Sequence, residues 1–530
     1  MEVELSDDSC RRFLSRKSPL LHQIAPSLLK PEPYDAIMSS VNSSPTRRLP
    51  DDHLAATPGY KQEFKRKFTS LEIFGVSFPV IALVPSIASV LFNSIPNGGG
   101  PAMVWGWAVA SLFMLLVAIS MAELASAVPS SGGLYFWTYS LSSPRWRGFL
   151  CWIVGNANTI GCISAFASID WGCAEQIMAV ATFGSEYAVE GTAAQIFGLY
   201  SAIVLTHIAL CCLGTTAHAR LQVLYLVLNV LLCLVIVIAL PLATPNKNTA
   251  KFALWDFTNI NGWPDSYAFI LSLLAPLWTI GSPDVGGPIS DEASNAATAV
   301  PWAIVLATFG AGVLGWAINV SLAFCMGTDL RSLYDSGRGQ PMAQILSYSF
   351  GRKGTLAVWA MIVVVQYMMG TSMLLVASHQ TFLLSRDSTL PFSAWLYKIN
   401  RFTGTPVNAV VFNDAVFSLS IIPWYIALAI PIAARFLGAN TFKPGPFSLG
   451  IFSLPVAVVS LSFMLVVSFF FLFPTSPNPT AEEMNYTVVV LGLAMALSIA
   501  WYYFPRYGGV HWFTGPVLDV DLESGSKGNS

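Results

Sequence analysis

The sequence predicts an all-α polytopic membrane protein, and three observations carry that expectation. Hydrophobic residues make up 54% of the 530 and charged residues only 11%, with a mean hydropathy of +0.60. A soluble domain carries roughly 25% charged residues, so too little polar surface is left here to coat a water-soluble globule. Several stretches of about 20 residues are nearly free of charge, and each is long enough to cross the roughly 30 Å hydrocarbon layer. No stretch alternates with the two-residue period of a membrane strand, which leaves helices to satisfy so much apolar backbone. The net charge of −2 offers nothing to nucleic acid.

Residues 1–67 are polar, rich in Ser and Pro, and end in a basic cluster, Lys61, Lys65, Arg66 and Lys67. They lack the regions of a secretory signal and read as a disordered cytoplasmic tail. A transmembrane domain is expected over 68–505, followed by a C-terminal tail, 506–530. Its spans fall at about 72–93, 102–127, 148–178, 192–213, 220–242, 266–289, 299–326 and 354–384. An apolar block at 407–434 and spans at about 449–473 and 486–504 complete it.

Lys and Arg placement orients these spans, because cytoplasmic loops carry the excess of both. The basic cluster puts the N-terminus inside, and Arg145, Arg147, Arg220, Arg386, Lys398 and Arg401 then also fall inside. The uncharged SIPNGGGP (94–101) and the acidic GSEYAVEG (184–191) fall outside, with loops 243–265 and 327–353, whose basic residues are offset by acids. The block 407–434 breaks the alternation. Arg435 and Lys443 follow it and also belong inside, so it should cross twice or not at all. It holds 28 residues, including Pro423 and Pro431, and two crossings need about 40. It is re-entrant, or it crosses once and leaves the C-terminus outside, or a segment near Ile422–Trp424 is missing.

Span six breaks its own helix. WTIGSPDVGGPISDEASNA (278–296) sets Gly281, Pro283, Gly286, Gly287 and Pro288 beside three carboxylates. A membrane tolerates non-helical backbone only where it is buried in protein or lines a wet cavity, so the break points to a binding site. Freed carbonyls near Thr279–Gly281 suit a cation or an ammonium group. Span one, FGVSFPVIALVPSIASVLF (74–92), has Pro79 and Pro85 bracketing IALV, with Ser77 and Ser86 near the bends. Paired broken helices in matching positions of two five-span groups are the mark of inverted-repeat carriers. The first group covers about 72–242, the second about 266–434, and 449–504 adds extra helices.

Candidate substrate-binding residues follow: Ala82, Leu83, Val84 and Ser86 at the first break, Thr279, Gly281, Ser282 and Asp284 at the second, and Asn156 and Asp170 on span three. A carboxylate inside a span is costly and is usually functional. Asp170 and Asp284 are therefore also the candidates for handling a proton. A substrate carboxylate would be met by the N–H groups of Val84–Ile87, at the positive end of a half-helix. Glu123, Asp291 and Glu292 lie near cytoplasmic ends and read as gate or scaffold contacts. Glu175 faces the outer vestibule, and Asn158 bonds a neighbouring helix. His207, alone in its span, reads as a satisfied packing residue. SSGGLYFW (130–137) reads as a cytoplasmic re-entrant or interfacial segment with its aromatics at headgroup level. The eight cysteines show neither metal spacing nor a disulfide framework, and no cofactor is expected. "GSPD" is not a GxGD pair, and the spans hold no His/Ser/Asp set, so an enzyme is not expected.

Several motifs jointly resemble the fungal GABA-permease and choline-transporter group of the amino acid–polyamine–organocation superfamily. They are FGVSF, VWGW (104–107), MAELASAVPSSGGLYFW (121–137), SDEASNA (290–296), GQPMAQI (339–345), SRDSTLPFS (385–393) and KPGPFSLG (443–450), with MNYTVVVLG (484–492) and HWFTGPV (511–517) at the C-terminal end. The resemblance covers roughly 60–517. It implies a LeuT-like fold of two inverted five-helix repeats with 11–12 transmembrane helices. It also implies secondary, proton-coupled transport of a small amine or amino acid across a fungal plasma membrane. The chain departs from the group in Ser282-Pro283-Asp284, where relatives have Gly-Tyr-Asp, and in Ala82 and Leu83, where they tend to have glycine. GABA, another amino acid, choline and a polyamine all remain open as substrate. So do an alkaloid-like metabolite and its precursor, and a non-transporting amine sensor.

Overall fold

The computed structural model describes residues 80–130, 132–186, 191–212, 215–281, 295–334, 340–386, 421–438, 440, 442–480, 484–513 and 515–516. The architecture within them is all-α and polytopic. Seven helices are long and apolar enough to cross a membrane, and four more are apolar but shorter. In chain order they are α1 (Leu83–Ser94), α2 (Gly99–Ala127), α3 (Gly133–Leu141), α4 (Arg147–Gly184), α5 (Ala193–Cys211), α6 (Thr215–Leu234) and α7 (Asp265–Ser272). Then come α8 (Leu274–Ile280), α9 (Ala296–Cys325), α10 (Pro341–Arg386), α11 (Ile421–Leu437), α12 (Ser453–Phe470) and α13 (Thr487–Tyr502). α3 is a short buried helix between spans, and α7 and α8 together make span six. A two-residue antiparallel pair, β1 (Asn97–Gly98) with β2 (Thr258–Asn259), ties the α1–α2 loop to the segment before α7.

α4 is the central helix. It packs against α3, α5, α10, α11 and α13, and 78% of its apolar window is buried, against 28% for α5. The buried residues of α5 are Tyr200, Ile203, Val204, His207 and Cys211. That is the three-to-four-residue spacing of a single helical stripe, so one face of α5 meets protein and the rest meets lipid. α2 and α9 pack along much of their length. Trp107 of α2 is buried and donates its indole N–H to the Gly312 carbonyl at 3.1 Å. The ring occupies the space that a side chain on Gly315 would need.

Three stretches take a more definite form in the folded chain. The aromatics of 130–137 are enclosed by protein: Tyr135, Phe136 and Trp137 of α3 are buried, and Trp137 donates to the Val128 carbonyl at 2.7 Å. α3 packs on α4, which gives the rings protein rather than lipid headgroups as neighbours. α10 starts earlier than expected, because Pro341–Phe350 is helical ahead of a kink at Gly351 (φ 64°, ψ −178°). The problem block yields α11, whose 17 residues run unbroken through Ile422–Trp424. They make one crossing of about 26 Å at most. Residues 387–420 lie outside the described residues, as do the tail 1–67 and most of 506–530.

Candidate functional site

The first break is built by Pro85. Residues 80 and 81 are helical, Ala82 takes a left-handed conformation (φ 37°, ψ 68°), and α1 restarts at Leu83. A proline has no N–H to return to the carbonyl four residues back, so Pro85 frees the carbonyl of Ile81. Ser86 answers it with its hydroxyl at 2.8 Å, while its own N–H bonds the Ala82 carbonyl at 3.0 Å. Ser86 therefore stabilises the break from within. Val84 turns its amide toward the Cys233 thiol on α6. The expected cradle at Val84–Ile87 is thus largely committed, since Pro85 has no N–H at all. What is left for an anion is the turn at Ala82–Leu83.

The second break is built by Gly281. α8 ends at Ile280, and Gly281 leaves the helix with φ 37° and ψ −92°, its N–H still bonded to the Leu277 carbonyl at 3.0 Å. The last carbonyls of a helix have no partner within it and carry the negative end of its dipole. Those of Trp278, Thr279 and Ile280 stand at this break. The Thr279 hydroxyl is spent on the Ala275 carbonyl at 2.9 Å. Ser282, Asp284, Asp291 and Glu292 lie outside the described residues.

The two breaks face one cavity of about 30 Å³. Val80 and Ile81 line it from before the first break and Trp278–Gly281 from the second, with Ala165 and Ile169 of α4, Met369 and Met373 of α10, and Trp424 of α11. A water needs roughly 10–15 Å³ of such space, so the cavity has room for about two waters. Sequence reasoning missed Trp424, whose ring stands 3.2 Å from where a Cβ on Gly281 would be. Its indole N–H is buried and has no acceptor among the described residues. The signal was present, since Trp424 follows Pro423 in the block that fitted no simple crossing.

Of the other expected residues, Ala82, Leu83, Val84, Ser86, Asn156 and Asp170 are not among those that line the cavity. Asn156 donates to the Trp152 carbonyl of its own helix at 2.9 Å. Asn158 likewise stays within α4, where it pairs with the Cys162 thiol. Asp170 follows the cavity-lining Ile169 but points to α5, where its Oδ2 meets His207 Nδ1 at 2.9 Å, both side chains fully buried. His207 is thus paired with a carboxylate from another helix, and among the described residues its Nε2 and the Asp170 Oδ1 have no partner. Glu175 accepts from the Trp171 indole at 2.8 Å.

Glu123, read as a gate or scaffold residue, has a partner the sequence did not name. Arg435 of α11 grips it at 2.5 and 3.0 Å. The Ser453 hydroxyl adds contacts at 2.7 and 2.8 Å, and the Leu449 N–H one at 3.1 Å. Arg435 also lies over the Phe442 ring at 4.0 Å. It is half of a buried ion pair rather than a loop charge.

The amino acid permease family matches residues 70–494. The chain belongs to that family. It is 34% identical to an uncharacterised amino-acid permease of Schizosaccharomyces pombe, over 89% of each chain. It is 35% identical to the GABA-specific permease of Saccharomyces cerevisiae, over 83% of this chain and 81% of that one. An amino-acid permease of Arabidopsis thaliana is 30% identical over 87% and 95%. The permease is thus an integral, multi-pass membrane protein of a transporter family, and its relatives are carriers rather than enzymes.

Proposed function

We propose that this permease carries a small amino acid or amine across a fungal plasma membrane by alternating access, driven by protons. GABA is the first candidate, since a relative at 35% identity is a GABA-specific permease. One observation carries the proposal: two interrupted helices both line the same cavity. In this reading the substrate ammonium lies against the last carbonyls of α8 and the face of Trp424, where a cation gains from the ring quadrupole. A substrate carboxylate meets the turn at Ala82–Leu83. Asp284 and Asp170 are the acids considered for the proton. The cavity must widen several-fold to admit seven heavy atoms, which the rocking of one helix group against the other supplies. The two five-helix repeats, 72–242 and 266–434, belong to the same proposal, as does the cytoplasmic placement of the N-terminus.

Uptake of a panel of labelled amines and amino acids into proteoliposomes, with the outside acid or neutral, tests the proposal. Accumulation of GABA or a close analogue, greater with acid outside, is expected. Binding without accumulation of any panel member would make the protein a sensor and refute transport.

A further inference from the structure

A second polar centre lies behind the Ile169–Met369 wall of the cavity. Asp170 of α4 and His207 of α5 are both fully buried and are joined at 2.9 Å. Gly370 of α10 makes the room for them. A Cβ there would run into the Asp170 carboxylate and stand 2.6 Å from Cε1 of His207. The ring of Tyr367, also on α10, covers the imidazole at a centroid distance of 4.2 Å. Three helices thus shape one site, and one polar atom of each partner, Asp170 Oδ1 and His207 Nε2, remains without a bond. Other titratable groups nearby are the Cys173 thiol on α4, the Cys211 thiol on α5, and the Tyr367 and Tyr225 phenols. Among the described residues, no charged group other than His207 acts on Asp170.

The charge arithmetic of such a pair is simple. A carboxylate with a neutral imidazole carries one net negative charge. One added proton makes the pair neutral overall, either as imidazolium and carboxylate or as two uncharged groups. An uncompensated charge enclosed in a membrane protein is costly, so the enclosed pair holds one proton and gives it up only where water reaches it. A centre that loads when closed and unloads when wet is what a carrier needs to move one proton per cycle.

We propose that Asp170 and His207 together form the proton-carrying site of this permease, separate from the substrate cavity. The two sites share a wall. Ile169 precedes Asp170 on α4 and Met369 precedes Gly370 on α10, so a shift between these helices alters cavity and pair together. The assignment rests on the proposed transport function and adds His207, Gly370 and Tyr367 to it.

The test uses the full chain in proteoliposomes with labelled GABA, or with whichever panel amino acid the wild type accumulates. Three quantities are read: exchange without a gradient, accumulation under an inward proton gradient, and substrate-dependent acidification of the lumen. His207→Gln is compared with the double variant Asp170→Asn/His207→Gln, which puts two neutral, hydrogen-bonding side chains in the same space. In both variants exchange should stay within about twofold of wild type while accumulation falls to simple equilibration. Acidification should vanish, and exchange should lose the pH dependence that the wild type shows. Undiminished accumulation and acidification in either variant overturns the assignment, and so does loss of exchange in the double variant, which would make the pair part of substrate translocation or of the fold. A wild type that accumulates substrate while the variants keep their coupling defeats this assignment alone. A wild type that transports nothing defeats the transport reading beneath it.

Discussion

Replacing Glu123 by alanine takes away the acceptor on which one end of α2, the close of α11 and the start of α12 converge. Its carboxylate is fully buried, and the side chain of Arg435 is 11% exposed. Removing one partner of a buried pair strands the other, at a cost of about 3–5 kcal/mol. Two features set where in that range this pair falls. The Phe442 ring at 4.0 Å gives the stranded guanidinium some compensation, which argues for the lower end. The Leu449 N–H and the hydroxyls of Ser448 and Ser453 lose the same acceptor, which argues for the upper end, since each net hydrogen bond is worth about 1 kcal/mol. About 4 kcal/mol is the expected loss for Glu123→Ala, and about 2 kcal/mol for Glu123→Gln, which keeps an oxygen for Ser453 and Leu449. A double-mutant cycle with Arg435→Met, followed by equilibrium unfolding in mixed micelles, isolates the pair itself. Glu123→Ala and Arg435→Met together should cost less than the sum of the two by about 1–3 kcal/mol. Additivity to within about 0.5 kcal/mol would show that the two charges do not hold each other, and that the scaffold role rests on the serines.

Other positions give sharp expectations. Gly281→Ala forces a side chain into a left-handed backbone, with its Cβ 3.1 Å from the Trp278 carbonyl and 3.2 Å from the Trp424 ring; uptake should fall at least about tenfold while surface expression, read by fluorescence microscopy of a tagged protein, is retained. Trp424→Ala removes one of the two tryptophans of the cavity wall, so uptake of longer amino acids should rise relative to GABA in a competition assay, with a stability loss of about 3–5 kcal/mol read in the same micelle unfolding. Gly315→Val sets two methyl groups where the Trp107 ring lies, and a loss of about 1–3 kcal/mol should be partly recovered by Trp107→Leu.

The spans were legible because a run of apolar residues is a property of one stretch of chain. α2, α4, α5, α7–α8 and α9 begin within about three residues of expectation. The breaks were legible for a related reason: Pro85 and Gly281 change the backbone at their own positions and need no partner to do so. Pairings were not legible. Asp170 and His207 stand 37 positions apart on different helices, and Glu123 and Arg435 stand 312 apart. A sequence shows each as a lone polar residue in an apolar run. One signal could have found His207, namely its place on the Tyr200–Val204–His207–Cys211 stripe of α5. Trp424 carried only its place after Pro423 in the block that fitted no simple crossing, because its role depends on α11 lying against Gly161 and Gly281.

Neighbouring residues on a helix point about 100° apart, and this explains how one helix can serve two centres. On α4, Ile169 turns to the cavity and Asp170 to α5. On α10, Met369 turns to the cavity and Gly370 to the Asp170–His207 pair. A carboxylate at position 169 would instead stand in the cavity wall, where it would grip an ammonium group and change charge with every change of solvent. Set one residue on, it is shielded from the substrate by Ile169 yet moves with it. A displacement of α4 against α10 large enough to admit an amino acid must also shift Asp170 relative to Gly370 and Tyr367. Under the proposed mechanism, the coupling between substrate and proton then needs no contact between them. It needs only that the same two helices form both walls, and residues 169–170 and 369–370 meet that condition.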